Sequence, residues 1–243
     1  MKRSIIALAL MASAIPTMGQ TYDMSNDIID KSHLRSSYYT TKSLIDFGFN
    51  FEEFIKRADK TKPTVIHSHG CSGVSSDDLD LKNFYTGLGF NFVMLDFHKR
   101  GDASASCTSN GGFTYHADTR KRLPPRLKEL EHHVNVLKKN GIAIIYATGH
   151  SEGGMVVQYL QENVNAVVVH SMSCVPKFEN IDNSKIKYLH LVSLNDPLLT
   201  RPGLRFKCEG YSNFTTVHSK VFSHRALADP EWESKIKEFL AVK

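Results

Sequence analysis

Between an apolar run ending at Thr148 and an amphipathic stretch entered by Met155, the chain reads Gly149-His150-Ser151-Glu152-Gly153. No other segment so narrows the folds open to it. Two glycines flanking a serine at this spacing suit a tight turn from a strand into a helix. Side chains at the glycine positions would collide as the chain doubles back. The turn leaves the serine hydroxyl at the C-terminal end of its strand, on a strained backbone, where it can attack a substrate. Ser151 is therefore the expected nucleophile.

From about residue 62 onward, short β-rich apolar runs alternate with longer amphipathic stretches. That alternation predicts parallel strands joined by crossover helices. The expected strands are Thr64–Ser68, Phe90–Asp96, Ile142–Thr148, Ala166–His170, Tyr188–Ser193 and Phe214–Val217. Their near-continuous Val/Ile/Leu content fits strands buried on both faces. Pro124-Pro125 is expected to open a helix carrying Leu127, Leu130, Val134 and Leu137, with Asn140-Gly141 as its stop. A second helix should start at the Ser151 turn and carry Met155, Val156, Tyr159 and Leu160. The last should run from about Pro230 through Trp232, Ile236, Phe239 and Leu240. Residues 21–60 are the least legible, with an edge hairpin expected somewhere in 43–54. No repeat, low-complexity tract or Pro/Gly-rich linker interrupts the chain, so residues 20–243 are expected to form one α/β domain.

A nucleophilic serine needs a base to take its proton and a carboxylate to orient that base. In a fold of this kind the chain order is serine, acid, histidine. Asp196 follows the strand Tyr188–Ser193 and is the expected acid, with Asp182 as rival. His224, in the loop before the last helix, is the expected base, with His218 as rival. The remaining candidates His132, His133, His170 and His190 read as packing or surface residues. Donors for a developing oxyanion are expected from the backbone N–H groups of Glu152 and Cys71. Cys71 lies in the turn His69-Gly70-Cys71-Ser72-Gly73 after the first strand, where His69 is expected to brace the loop.

The N-terminus carries Lys2 and Arg3, an apolar run over residues 4–15, and Pro16 to Gly19 as a region suited to cleavage. This is the layout of a secretory signal peptide, residues 1–19, whose removal leaves 224 of 243 residues. Export to a secreted or periplasmic location follows. The apolar run is shorter than the ~20 residues a spanning helix needs, so no stable membrane insertion is expected. The formal charge of +5 falls to +3 once Lys2 and Arg3 leave, too mild to indicate nucleic acid. The basic group Arg120-Lys121-Arg122, with Arg126 and Lys128, reads as a solvated helix start. An even count of four cysteines in an exported chain favours disulfides. Their places after successive strands predict the pairs Cys71–Cys107 and Cys174–Cys208.

At these residues the sequence resembles the dienelactone hydrolase-related branch of the α/β-hydrolase superfamily. The likeness spans residues 62–240. It rests on His69-Gly70-Cys71-Ser72-Gly73, on Asp96-Phe97-His98-Lys99-Arg100-Gly101 with Cys107 beyond it, and on Gly149-His150-Ser151-Glu152-Gly153-Gly154. The resemblance implies an α/β-hydrolase fold with helices on both faces of a mostly parallel sheet. About eight strands are expected, or fewer if the N-terminal edge is shortened. It also implies hydrolysis of a small-molecule ester with no metal and no organic cofactor. The namesake enzymes carry a cysteine nucleophile where this chain has Ser151. Two other readings compete: a metal-dependent hydrolase using His67 and His69, and a catalytically silent binding protein on the same fold.

Overall fold

The computed structural model describes residues 36–40, 50–99, 117–160, 164–172, 186–199 and 213–241. Among the described residues seven strands form a single sheet: β1 (Ser37–Tyr39), β2 (Thr64–Ser68), β3 (Asn91–Leu95), β4 (Ile145–His150), β5 (Ala166–His170), β6 (Lys187–Ser193) and β7 (Phe214–Ser219). Their order is β1-β3-β2-β4-β5-β6-β7, parallel throughout except for β1, which runs antiparallel to β3. The helices are α1 (Phe51–Arg57), α2 (Ser76–Gly87), α3 (Ala117–Lys139), α4 (Glu152–Val157) and α5 (Pro230–Phe239).

Both faces of the sheet are buried. On one face Ile66, Val93, Ala147, Val167 and Val169 pack beneath Phe54 of α1, Leu130 and Val134 of α3 and Val156 of α4. On the other, Val65, Phe92, Val168 and Leu189 meet Leu81 and Tyr85 of α2 and Trp232 and Ile236 of α5. Successive residues of β2 and β5 thus serve opposite cores, which is why these strands read as unbroken apolar runs. Each fully buried Val, Ile or Phe side chain contributes roughly 1.5–3 kcal/mol.

The strand order turns back on itself. From β2 the chain steps to β3 on one side, then crosses through α3 to β4 on the other. The C-terminal ends of β2 and β4 therefore flank a switch point, where α/β sheets open a crevice for ligands. Register aligns these ends, with Ser68 beside Gly149, His150 beside His170, and Ser193 beside Ser219.

Local chemistry explains where the elements differ from the sequence expectations. β4 starts at Ile145 instead of Ile142, because Ile142 N–H bonds back to Leu137 O in the turn closing α3. It runs on to His150 and so takes in two residues of the turn motif. α3 begins at Ala117 and carries Pro124 and Pro125 in its interior instead of starting there. Each proline lacks an N–H to donate and its ring crowds the carbonyl four residues earlier. The helix thus runs across the pair with two donors fewer and at a cost that the packing of Leu130, Val134 and Leu137 must offset. The helix after Ser151 is a short six residues, although Tyr159 and Leu160 beyond it are buried as expected.

The hairpin expected in 43–54 is corrected at its C-terminal end. Asn50 caps α1 by accepting from Glu53 N–H at 2.9 Å, so Phe51 to Phe54 are helical. Residues 43–49 lie outside the described residues, and among the described residues the edge strand is Ser37–Tyr39. The last helix begins at Pro230, with Asp229 accepting from Glu231 N–H. No helix among the described residues is long and apolar enough to cross a membrane.

Candidate active site

The turn after β4 is governed by clearance. A Cβ on Gly153 would sit 1.9 Å from Ser68 O, and one on Gly149 would sit 2.3 Å from Gly153 O. No side chain fits either position. Ser151 between them has φ 53° and ψ −121°, a conformation that L-residues rarely adopt. It is 3% exposed and its N–H is held by His170 O at 3.0 Å. Glu152 begins α4 directly after it. Gly70 approaches from the neighbouring loop, near enough that a Cβ there would lie 3.5 Å from Ser151 Cβ.

Ser151, His224 and Asp196 come together from three loops at the C-terminal edge of the sheet. His224 Nε2 is 2.8 Å from Ser151 Oγ, and His224 Nδ1 is 2.6 Å from Asp196 Oδ2. Asp196 is fully buried, and its Oδ1 accepts from Leu198 N–H at 2.8 Å and Leu199 N–H at 3.2 Å. An ionised, acceptor-only carboxylate in that setting obliges His224 Nδ1 to be the donor. Nε2 is then left to accept the serine proton. Of the rivals, His218 lies exposed on β7 opposite Val192. Asp182 lies outside the described residues.

The pair His67 and His69 is committed to internal bonds. His67 Nε2 bonds Asp78 Oδ1 at 2.6 Å, while His69 Nδ1 donates to Gly70 O and His69 Nε2 accepts from Phe97 N–H at 3.1 Å. Burial, then the nearby Arg126 charge, keep His69 neutral by pushing its pKa well below the usual value. Burial opposes the charge on Asp78, but hydrogen bonds from His67 and Ser75 outweigh it and hold the carboxyl below its ordinary range. The expected bracing role of His69 fits these contacts. Among the described residues no cluster of His, Cys, Asp and Glu has the arrangement of a metal site. Cys71 is buried and disulfide-bonded. Its expected partner Cys107, and the pair Cys174 and Cys208, lie outside the described residues, as does the segment 1–19.

Two features were not foreseen. The first corrects the solvated reading of Arg126, which is 2% exposed. Its guanidinium bonds Glu152 Oε1 at 2.7 Å, Ser68 Oγ at 3.1 Å and His69 O, and lies 4.6 Å from the centroid of the Phe97 ring. One side chain thus ties the Ser151 turn to the loop that carries Gly70 and Cys71. The helical spacing held the clue, since Arg126 stands four residues before Leu130 on the apolar stripe.

The second feature is the suspension of the loop bearing His224. Asn195 Nδ2 donates to Lys220 O at 2.7 Å and Ser193 Oγ donates to Val221 O. His150 Nε2 donates to His224 O at 2.8 Å, Ser171 Oγ to Arg225 O at 2.8 Å, and His170 Nδ1 to Ala226 O at 2.8 Å. A carbonyl only accepts, so each ring nitrogen named carries a proton. Burial pushes the His170 pKa down to about 3 and lowers that of His150, leaving both rings neutral.

No protein-family model matches the sequence, and no curated protein matches it. Solved structures do match. A carboxylesterase of Bacillus cereus superposes with a TM-score of 0.56 at 16% identity, covering 90% of this chain and 99% of its own. Est1E of Butyrivibrio proteoclasticus, solved with ferulic acid bound, gives 0.54 at 15% identity over 85% of this chain and 93% of its own. A Klebsiella pneumoniae protein assigned as a dienelactone hydrolase gives 0.50 at 17% identity over 77% and 88%. The chain has the α/β-hydrolase fold, with seven strands of the mostly parallel sheet among the described residues, within the expectation of about eight or a sheet shortened at its N-terminal edge.

Proposed function

We propose that this protein is a serine hydrolase that cleaves a carboxylic ester in two steps through an acyl-Ser151 intermediate. The observation that carries the proposal is the hydrogen-bonded chain from Asp196 through His224 to Ser151. His224 Nε2 accepts the Ser151 proton as Oγ attacks the ester carbonyl. Asp196 fixes the ring and stabilises its positive charge. The oxyanion rests on the N–H groups of Glu152 and Cys71. Collapse expels the alcohol with the proton returned by His224, and water deprotonated by the same base releases the acid.

Supporting this reading are the strained turn at Ser151 and the approach of Gly70 to it. The esterase character of the structural neighbours adds to it. Since Est1E was solved with ferulic acid, hydroxycinnamate esters belong in the substrate panel beside short- and long-chain nitrophenyl esters. A fluorophosphonate probe should label the protein and fail to label Ser151→Ala. A folded protein that takes no label and turns over no ester would overturn the proposal and leave a binding protein.

Export belongs to the same proposal, with residues 1–19 removed and 20–243 acting as one domain. Secreted material should begin at Gln20. Peptide mapping without reductant should yield Cys71–Cys107 and Cys174–Cys208, and a Cys71–Cys174 peptide would refute that pairing.

A further inference from the structure

We propose that Ser171 is a positioning residue for the base, holding the His224 loop in line with Ser151 by bonding the carbonyl next to it. The inference rests on the reading of His224 as the base. Ser171 follows the last residue of β5, His170, which is paired with His150 at the end of β4. Ser151 and Ser171 therefore stand at the ends of adjacent strands, and both have positive φ, 53° and 49°. Strain at Ser151 is inherent in the turn that presents a nucleophile. Ser171 has no such duty, and glycine would adopt φ 49° without cost. What serine supplies and glycine lacks is the hydroxyl, and that hydroxyl donates to Arg225 O at 2.8 Å.

The flanking residues act in the same sense. His150 grips the carbonyl of His224 itself and His170 that of Ala226, so three consecutive carbonyls are held by three side chains from two strand ends. The backbone of residues 224–226 is thereby fixed at each peptide. The His224 ring has few remaining ways to move off the line between Asp196 and Ser151. Arg225 points the other way and pairs at the surface with Asp77 and Asp80 of α2.

Ser171→Gly separates this role from a structural one, because the substitution relieves the backbone while removing the hydroxyl. The expected result with a short-chain nitrophenyl ester is a kcat lowered by roughly ten- to a hundredfold, KM changed less than about twofold, and a Tm equal to or above that of the parent. Ser171→Ala, which keeps the backbone restricted, should show the same loss of kcat. Added to His224→Ala, Ser171→Gly should cause no further loss, since it acts only through that residue. At the neighbouring strap, His150→Leu should lose kcat similarly, and His150→Gln, whose amide can donate from about the same place, should recover most of it. Full kcat in Ser171→Gly beside an inactive His224→Ala would overturn the inference and leave the base in place. So would a loss that persists in the double variant or tracks a lowered Tm. Full turnover in His224→Ala would instead remove the base itself, and this inference with it.

Discussion

The Ser151 turn and the His224 loop meet across 2.8 Å, yet they are held in opposite ways. The turn is fixed by backbone crowding. Gly149, Gly153 and Ser68 O leave no volume for any other arrangement, and the constraint lies within a few residues and one neighbouring strand. In the loop over residues 220–226 the carbonyls of Lys220, Val221, His224, Arg225 and Ala226 accept in turn from Asn195, Ser193, His150, Ser171 and His170. A buried carbonyl without a partner is costly, so a loop lacking a sheet ladder must borrow donors from elsewhere. Steric definition is all-or-none, whereas suspension by separate bonds is graded. Substitutions should therefore abolish function at the turn and erode it at the loop.

The largest effects are expected where the two regions touch. Ser151→Ala and His224→Ala should each lower kcat by on the order of 10⁴–10⁶ while remaining folded, and the double variant should be little worse than either alone. Asp196→Asn should cost on the order of 10⁴ by misorienting the His224 ring. Circular dichroism with single-turnover kinetics checks all three, and near-normal turnover in any one reassigns that role.

Next in size is Arg126→Met, which strands Glu152 as an uncompensated buried charge. Breaking such a pair costs about 3–5 kcal/mol, and urea titration should read that loss. An unchanged midpoint would mean the turn is self-supporting without its tie to β2. Smaller again is Asn195→Ala, which frees one loop carbonyl. About 1 kcal/mol of stability and a several-fold loss of kcat are expected. A total loss there would break the contrast, because it would make the loop as intolerant as the turn.

The last effect concerns acid. His170 and His190 stay neutral in the folded protein down to about pH 3, whereas in the unfolded chain they take up protons below about 6.5. Protons thus favour the unfolded state throughout that window, and stability falls as pH drops from about 6.5 toward 3. Tm measured from pH 6.5 down to 4.5 should decline, and the decline should be shallower in His190→Gln. An unaltered slope would assign the acid limb to the other buried neutral histidines, His69, His150 and His170.

The contrast also separates what was legible in the sequence from what was not. The turn announces itself because its determinants are contiguous. Asp196 and His224 followed from chain order and their places after strands, and β2 and β5 were bounded correctly by their apolar runs. The loop straps were hidden because their partners lie far away in sequence, 54 residues apart for Ser171 and Arg225 and 74 for His150 and His224. His170 read as a packing or surface residue, and it is buried. Arg126 sat in a basic run whose members resemble one another until one is seen to fall on the apolar stripe of α3. The proline pair misplaced the start of α3 because proline opens helices more often than it interrupts them.

The Arg126–Glu152 pair carries an implication for descent. Removing either partner alone is costly, but replacing both by apolar residues of similar volume is close to neutral. The two positions therefore form a fitness valley with gentle ground on either side. Lineages should keep the arginine and the acid together or lose them together, and a glutamate directly after Ser151 should forecast a basic residue at the position of Arg126, one turn before Leu130 in the crossover helix.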